Sequence, residues 1–426
     1  MCKITKENDS LQRQTENKDE NSHVPPIKKN VPELRFPEFK GEWNSYKISE
    51  ISKTYSGGTP STSNREFYKG NIPFIKSGEI NSETTEQYIN EDAISNSSAK
   101  YVKKGDLLLA LYGATSGEVA ISKIDGAINQ AVLKIDNKMN NIFQYNYFLK
   151  YKNRIVFKYV QGGQGNLSAK IIKNLQFKYP SDEEQKKIAN FLTCIDQKIE
   201  LMEKKHTLYQ NIKKYFLDNL FPHEKMDIPN LSFKEYSNIW KQIKLKQIIY
   251  KGKAGGTPKS SIKEYYNGNI PFLSINDMTN EGKYITYTEK SITEKGLKNS
   301  SAWLVPEKSL LYSMYASVGF VSINNIPLTT SQAIFNIIFK EHVNLEFMYY
   351  YLTFYKQYLH RYIETGTQGN LNAKLIKNFK IKIPSKEEQR KIADFLSLID
   401  TYIEINKEKL NHLKQFKKGL LQKMFC

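Results

Sequence analysis

The chain has 426 residues, 39% of them hydrophobic, which is enough for two or three folded domains and too many for a chain without a core. Lysine and arginine number 63 against 44 aspartates and glutamates; the resulting +19 points to a polyanion, nucleic acid above all, and is also what a merely Lys-rich, well-solvated protein would show. Cys2, Cys194 and Cys426 lie at no metal or disulfide spacing, which excludes a disulfide scaffold and predicts a reducing, cytoplasmic setting.

Residues 1–30 are polar and mixed in charge, the composition of a disordered tail rather than a signal peptide. A first globule is predicted over 31–180, with a β-rich body from about Ser45 to Tyr179. Its apolar runs NIPFIK, DLLLALY and AVLKI are short and bounded by turn residues, the pattern of strands. The longest, LLLALYGA at 107–114, is far short of a membrane span, so no membrane partner is expected. Near the globule's end, NIFQYNYFLKYKNRIVFKYV at 141–160 predicts an amphipathic helix. Its aromatic rings read as core packing in preference to a base-stacking platform, because they share one face.

A long helix is predicted over 181–222, opened by a capping box in which Ser181 caps a backbone N–H and Glu184 reaches back. Its apolar stripe is Ile188, Leu192, Ile195, Ile199, Met202, His206, Tyr209, Phe216 and Leu220, with the alternating spacings of four and three of a heptad. A Pro-bearing linker over 223–240 leads to a second globule over 241–384, with its body from Lys241 to Ile383 and its own aromatic segment, NLEFMYYYLTFYKQYLHRYI. A second long helix follows over 385–426. Ser385 and Glu388 form its predicted box, and Ile392, Leu396, Ile399, Ile403, Leu410, Leu413, Leu420 and Met424 form its stripe. Each helix is about 40 residues, or roughly 60 Å at 1.5 Å per residue. Neither can bury such a stripe on one small globule, so the two are expected to pair as an intramolecular antiparallel coiled coil. Its interface is expected at Ile188, Leu192, Ile195 and Ile199 of the first helix and at Ile392, Leu396, Ile399 and Ile403 of the second. His206 and Asn406 interrupt the stripes; they either specify register or sit at wet, tolerant positions.

The order of elements is written twice. PELRFPEFKGEW ends at Trp43 and PNLSFKEYSNIW at Trp240. GGTP at 57–60 recurs at 255–258, YKGNIPFI at 68–75 as YNGNIPFL at 266–273, and NQAVLKI at 129–135 as SQAIFNI at 331–337. QGNLSAKIIKN at 164–174 returns as QGNLNAKLIKN at 368–378 with nine of eleven positions identical. The offset drifts only from 197 to 204. The expected fold class is therefore α+β: two duplicated mixed α/β globules joined by two long helices forming an antiparallel coiled coil.

No catalytic pattern accompanies this architecture. The six histidines are scattered, and there is no GxxxxGK[ST] loop, no GxGxxG and no GxSxG. PSDEEQK carries Asp182, Glu184 and Lys186, faintly like a metal-dependent nuclease. Its acids open a helix, where capping and the helix dipole explain them, and the second copy has Lys386 in place of Asp182.

Two "GGTP…GNIPF…QGNL.AK.IK" globules, each followed by "P…EEQ.KIA.FL..ID..IE", resemble the specificity (S) subunit of type I restriction–modification systems over residues 31–426. The resemblance implies that 31–180 and 241–384 are target-recognition domains, each reading one half of a split site on double-stranded DNA. It implies that the helices space the halves like a ruler and dock methyltransferase (M) subunits, two being expected, with restriction (R) subunits joining. It implies no catalysis and no cofactor on this chain; S-adenosylmethionine, ATP and Mg belong to the partners. The separate specificity subunit of a type IIB-like enzyme fits the same sequence. A protein-binding coiled-coil scaffold and an RNA-binding repeat protein are rivals that leave the paired globules unexplained.

Within that resemblance, the candidate DNA contacts are polar groups at strand ends and loops. Gln164, Asn166 and Lys170, with Gln368, Asn370 and Lys374, lie in the near-identical loop and are expected to position the backbone or pack on the methyltransferase, since identical loops cannot tell different half-sites apart. Discrimination is expected where the copies differ: Lys76, Ser77 and Glu79 against Ser274, Asn276 and Asp277, and Tyr112, Thr115 and Ser116 against Tyr315 and Ser317. Thr59 and Thr257 of the two GGTP turns complete the set.

Overall fold

The computed structural model describes residues 30–159, 166–236, 238–363 and 371–426. The chain divides into two compact units: the described residues up to Glu203 together with Glu408–Cys426, and Lys204–Lys407.

In the first unit, a four-stranded antiparallel sheet runs in the order Ser52–Ser56, Val132–Asn137, Leu107–Ala110, Val119–Ile121. A mixed sheet runs Tyr88–Ile89, Ile72–Ile75, Gly126–Ile128, Lys100–Val102. The second unit repeats the first order as Ile249–Ala254, Ile334–Phe339, Leu310–Ser313, Val321–Asn324, and adds Tyr284–Ile285 at the edge. Its smaller sheet runs Lys290–Ile292, Tyr266–Leu273, Thr329–Thr330. A two-stranded ribbon closes each unit, Asn44–Lys47 on Gln176–Tyr179 and Lys241–Lys244 on Lys380–Ile383.

The aromatic segments form the helices Asn141–Val156 and Leu345–Tyr355, and most of their rings are core as expected, with Phe157 just past the first helix exposed. Phe143, Tyr147 and Phe148 are buried in the first unit, and Phe347, Tyr350 and Tyr351 in the second. The hydroxyl of Tyr147 accepts the Lys178 N–H at 3.1 Å, and that of Tyr351 accepts the Lys382 N–H at 2.8 Å, so each ring also satisfies an inner strand amide. Burial pushes both phenols above their ordinary range.

The long helices span Asp182–Asn219 and Lys386–Met424. In the first unit, Ile188, Leu192 and Ile195 share one core with Leu420, Met424 and Phe425. In the second, Ile392, Leu396 and Ile399 share a core with Leu220 and Phe221, and Ile403 packs against it. Ile199 packs at the margin of the first core. Each stripe thus begins in its own globule's core, with the other helix's end packed beside it. Within each unit the two helix segments run antiparallel. In the first unit, Lys417 Nζ reaches Asp196 at 2.5 Å and Lys414 reaches Glu203 at 2.6 Å. In the second, Lys213 pairs with Asp400 at 2.6 Å, and the rings of Phe216 and Phe395 lie 4.7 Å apart.

The capping boxes form by one arm only. Ser181 Oγ accepts the Glu184 N–H at 3.4 Å and Ser385 Oγ accepts the Glu388 N–H at 3.2 Å. The expected reach-back of the glutamates is replaced by tertiary partners, because a buried carboxylate is better held by a guanidinium or an indole N–H than by a helix end open to water. Glu184 takes a two-pronged bond from Arg35, Nε at 2.8 Å and an Nη at 2.7 Å. The second copy has Ser232 at the position of Arg35, and there Trp240 Nε1 donates to Glu388 at 3.2 Å. Trp43, the counterpart of Trp240, has no partner for its buried Nε1 among the described residues. Burial raises the Glu388 carboxyl above its ordinary value against the pull of the Trp240 bond. The next residue of each EEQ motif is structural too: Gln185 Oε1 accepts the Asn140 N–H at 3.2 Å, and Gln389 Oε1 accepts the Asn344 N–H at 2.9 Å. These bonds pin the start of each aromatic helix.

Candidate nucleic-acid interface

The two glycines of GGTP are required by close approach. A Cβ on Gly57 would lie 1.7 Å from the Ile128 carbonyl oxygen, and one on Gly58 would lie 2.6 Å from Ser98. This approach sets Thr59 over the turn between Gly126–Ile128 and Val132–Asn137. Thr59 Oγ1 donates to Gln130 Oε1 at 2.5 Å, and the Tyr112 hydroxyl donates to the Gln130 carbonyl at 2.5 Å. Backbone bonds draw further segments to the same edge: Asn129 N–H to Ile75 O at 3.4 Å, Leu111 N–H to Ala131 O at 2.8 Å, and Leu167 N–H to Leu111 O at 2.9 Å. Lys76 and Ser77, Tyr112, Thr59 and Asn166 therefore meet at one edge of the first unit.

The second unit builds the same edge. Gly255 and Gly256 approach Thr330 and Ser301 as closely, and the Thr257 hydroxyl donates to Gln332 Oε1. Ser331 N–H bonds Leu273 O at 3.0 Å, Met314 N–H bonds Ala333 O at 2.8 Å, and Leu371 N–H bonds Met314 O at 3.0 Å. Ser274, Asn276, Tyr315 and Ser317 lie around it. Lys253 Nζ reaches Ser301 O at 3.5 Å, and Lys251 stands 4.4 Å over the Trp303 ring, so cations rim this edge.

The individual side chains differ in what they have left to offer. Glu79 accepts the N–H groups of Lys76 at 3.0 Å and Glu86 at 2.8 Å. Asp277, at the same place in the second copy, accepts the N–H and hydroxyl of Ser274, both at 2.9 Å. Both carboxylates are committed to shaping the turn, and so is the Ser274 hydroxyl. Ser116 Oγ donates inward to Leu111 O at 2.9 Å. Asn276, Tyr315 and Ser317 are exposed, and Lys76, Ser77, Tyr112 and Thr115 are half-buried. Ala316 and Ser317 hold φ of 34° and 41°, left-handed backbone that costs non-glycine residues on the order of 1 kcal/mol each. The corresponding turn of the first unit uses glycines, with Gly113 at 89° and Gly117 at 85°.

Of the repeated loop, Gln164, Gln368 and Asn370 lie outside the described residues. Asn166 is exposed at the edge. Lys170 and Lys374 are exposed on the short helices Ala169–Lys173 and Ala373–Lys377, whose N-caps are Ser168 and Asn372. Sequence reasoning passed over Gln130 and Gln332. The signal was present in the shared "QA" that follows Asn129 and Ser331, but a glutamine beside a strand has no chemistry until a hydroxyl 71 or 75 residues away is seen to hold it. No group of three or more His, Cys, Asp or Glu is placed to hold a metal among the described residues, and no helix there is long and apolar enough to cross a membrane.

The model of the type I restriction modification DNA specificity domain matches the chain twice, over residues 40–209 and 238–415. The chain belongs to this specificity family. The MjaIX specificity subunit of Methanocaldococcus jannaschii is 39% identical over 164 residues, which cover only 37% of either chain. The MjaVIII specificity subunit of the same organism is 24% identical over 405 residues, 91% of this chain and 92% of that one. The solved S subunit of a type I system from M. genitalium superposes with a TM-score of 0.60 at 16% identity, covering 93% of this chain and 99% of the other, which establishes a shared fold. The two-domain α+β architecture is that of the specificity family, and the relatives are named as type I restriction enzyme specificity subunits. Their type I names favour that reading over the type IIB-like alternative.

Proposed function

We propose that this specificity-family chain reads a bipartite double-stranded DNA site, one half-site per unit. The observation that carries this reading is the edge built twice by the same backbone bonds and the same Thr–Gln pair, but set with different side chains. Lys76, Ser77 and Thr115 in one unit are answered by Asn276, Tyr315 and Ser317 in the other. A shared frame with unlike polar groups suits two half-sites of unlike sequence, read in a groove. The +19 charge supplies sequence-independent attraction to phosphates.

The partners follow from the same reading. Two methyltransferase subunits dock on the long helices, and restriction subunits join them. In the second unit Leu398, Tyr402 and Ile405, at helical spacing, are 52%, 49% and 41% exposed, and Leu208 and Tyr215 are each 55% exposed. Apolar rings and chains held in water on both long helices fit a protein partner. S-adenosylmethionine, ATP and Mg are bound by those partners, and the assembly works in the cytoplasm. Methylation mapping in cells carrying the chain with its methyltransferase tests the whole reading. A split adenine motif that vanishes on deletion is expected, and exchange of residues 45–179 for a homologue's should alter one half of it. A methylome with no split motif refutes the reading.

A further inference from the structure

Several polar positions on the recognition edge differ between the two units, yet the same Thr–Gln pair is built in both. Thr59 holds Gln130, and Thr257 holds Gln332, each hydroxyl donating to the amide oxygen of an exposed glutamine. The rest of the arrangement serves this pair. The glycines at 57, 58, 255 and 256 permit the backbone approach that brings each threonine within reach, and the turn carrying Gln130 is fastened by Tyr112 and by the Ala131–Leu111 bond. With the oxygen engaged, the amide nitrogen remains as a two-proton donor, and no described residue holds it. An exposed Thr–Gln bond adds little to stability, so stability is a poor reason for building it twice.

We propose that Gln130 and Gln332 each donate to a backbone phosphate, as the fixed positioning contact of its half-site. The inference rests on the DNA-reading function above. Two half-sites of different sequence share no base pattern, but they do share a sugar–phosphate backbone of uniform geometry. A group identical in both units, aimed identically and offering only N–H, matches that common acceptor. A base-reading group would instead vary between units, as Lys76 and Asn276 do.

The test uses the assembled complex of the chain with its methyltransferase subunits. Gln130→Ala and Gln332→Ala should each weaken binding to cognate and to unrelated duplex alike by about tenfold, the loss expected for one hydrogen bond to a charged group, and by about a hundredfold together. The methylated motif should not change. Gln130→Lys keeps a donor and adds a cation, so it should restore affinity and steepen the salt dependence by about one unit of slope. Thr59→Val leaves the glutamine in place but unheld, and should give a smaller loss. Two results would overturn the proposal: affinity within twofold of the parent for both alanine variants, or relaxed preference at a single base pair of one half-site, which marks base readout. Thermal melts of the complexes separate misfolding from lost contact, and the Lys variant keeps the test decisive if an alanine variant unfolds. Failure of the parent complex to bind any duplex would refute the DNA reading itself rather than this contact.

Discussion

Arg35→Ser places in the first unit the residue that the second unit already carries, Ser232. Arg35 is 13% exposed and Glu184 1% exposed, and they share two bonds at 2.8 and 2.7 Å. Removing one member of a buried ion pair costs about 3–5 kcal/mol, because the other charge is left desolvated. Part of that is recoverable. Trp43 Nε1 has no described partner, and in the second unit its counterpart Trp240 donates to Glu388 at 3.2 Å. One such bond returns about 1 kcal/mol, so the net loss should be about 2–4 kcal/mol near pH 7.5. The loss should also depend on pH. Without Arg35, Glu184 is in the position of Glu388, whose carboxyl burial raises above 4.5. A carboxyl raised in the folded state contributes stability that is full below its unfolded value and is lost as pH rises through the folded one. The deficit of the variant should therefore be largest at neutral pH and shrink on acidification toward the ordinary carboxylate value. Native-state hydrogen exchange of amides in residues 182–203, at pH 7.5 and pH 5, reads the first unit separately from the second. A deficit below about 0.5 kcal/mol at pH 7.5, or one that grows at pH 5, would refute the reasoning.

Phe221→Ala removes a fully buried ring whose centroid lies 5.5 Å from those of Phe347 and Tyr351 and 5.4 Å from that of Phe354, and should destabilise the second unit by about 3–5 kcal/mol in denaturant unfolding. Leu398→Glu with Ile405→Glu should leave the melting temperature within a degree or two and abolish co-purification of the methyltransferase; retained co-purification would move the docking surface elsewhere. Glu79→Ala strips an acceptor from two backbone amides and should loosen the 76–86 turn, so methylation mapping should show a relaxed first half-site and an unchanged second one. Deleting one heptad from each long helix should shorten the preferred spacer by about three base pairs, since seven helical residues span roughly 10 Å; an unchanged spacer in a folded variant ends the ruler idea.

The duplication was legible from sequence alone because identical short motifs recur in one order, and identical motifs make identical backbone bonds. GGTP recurs since no side chain fits at Gly57 or Gly255. EEQ recurs since Gln185 and Gln389 pin the same helix start. The heptad stripes and the aromatic helices were legible for a related reason, since periodicity reports which face leaves water. What sequence could not decide was the partner of any polar group. Glu184 and Glu388 read as the same capping residue, yet one is held by Arg35 and the other by Trp240, 149 and 148 residues away. Glu79 and Asp277 read as candidate base contacts, yet both carboxylates are bonded to the backbone of their own turns. Gln130 and Gln332 read as nothing in particular until the fold set a threonine against each. Apolar patterning is local and survives in one dimension. A hydrogen bond has a direction and a length of about 3 Å, and which donor comes within that distance of which acceptor is settled only when distant segments pack.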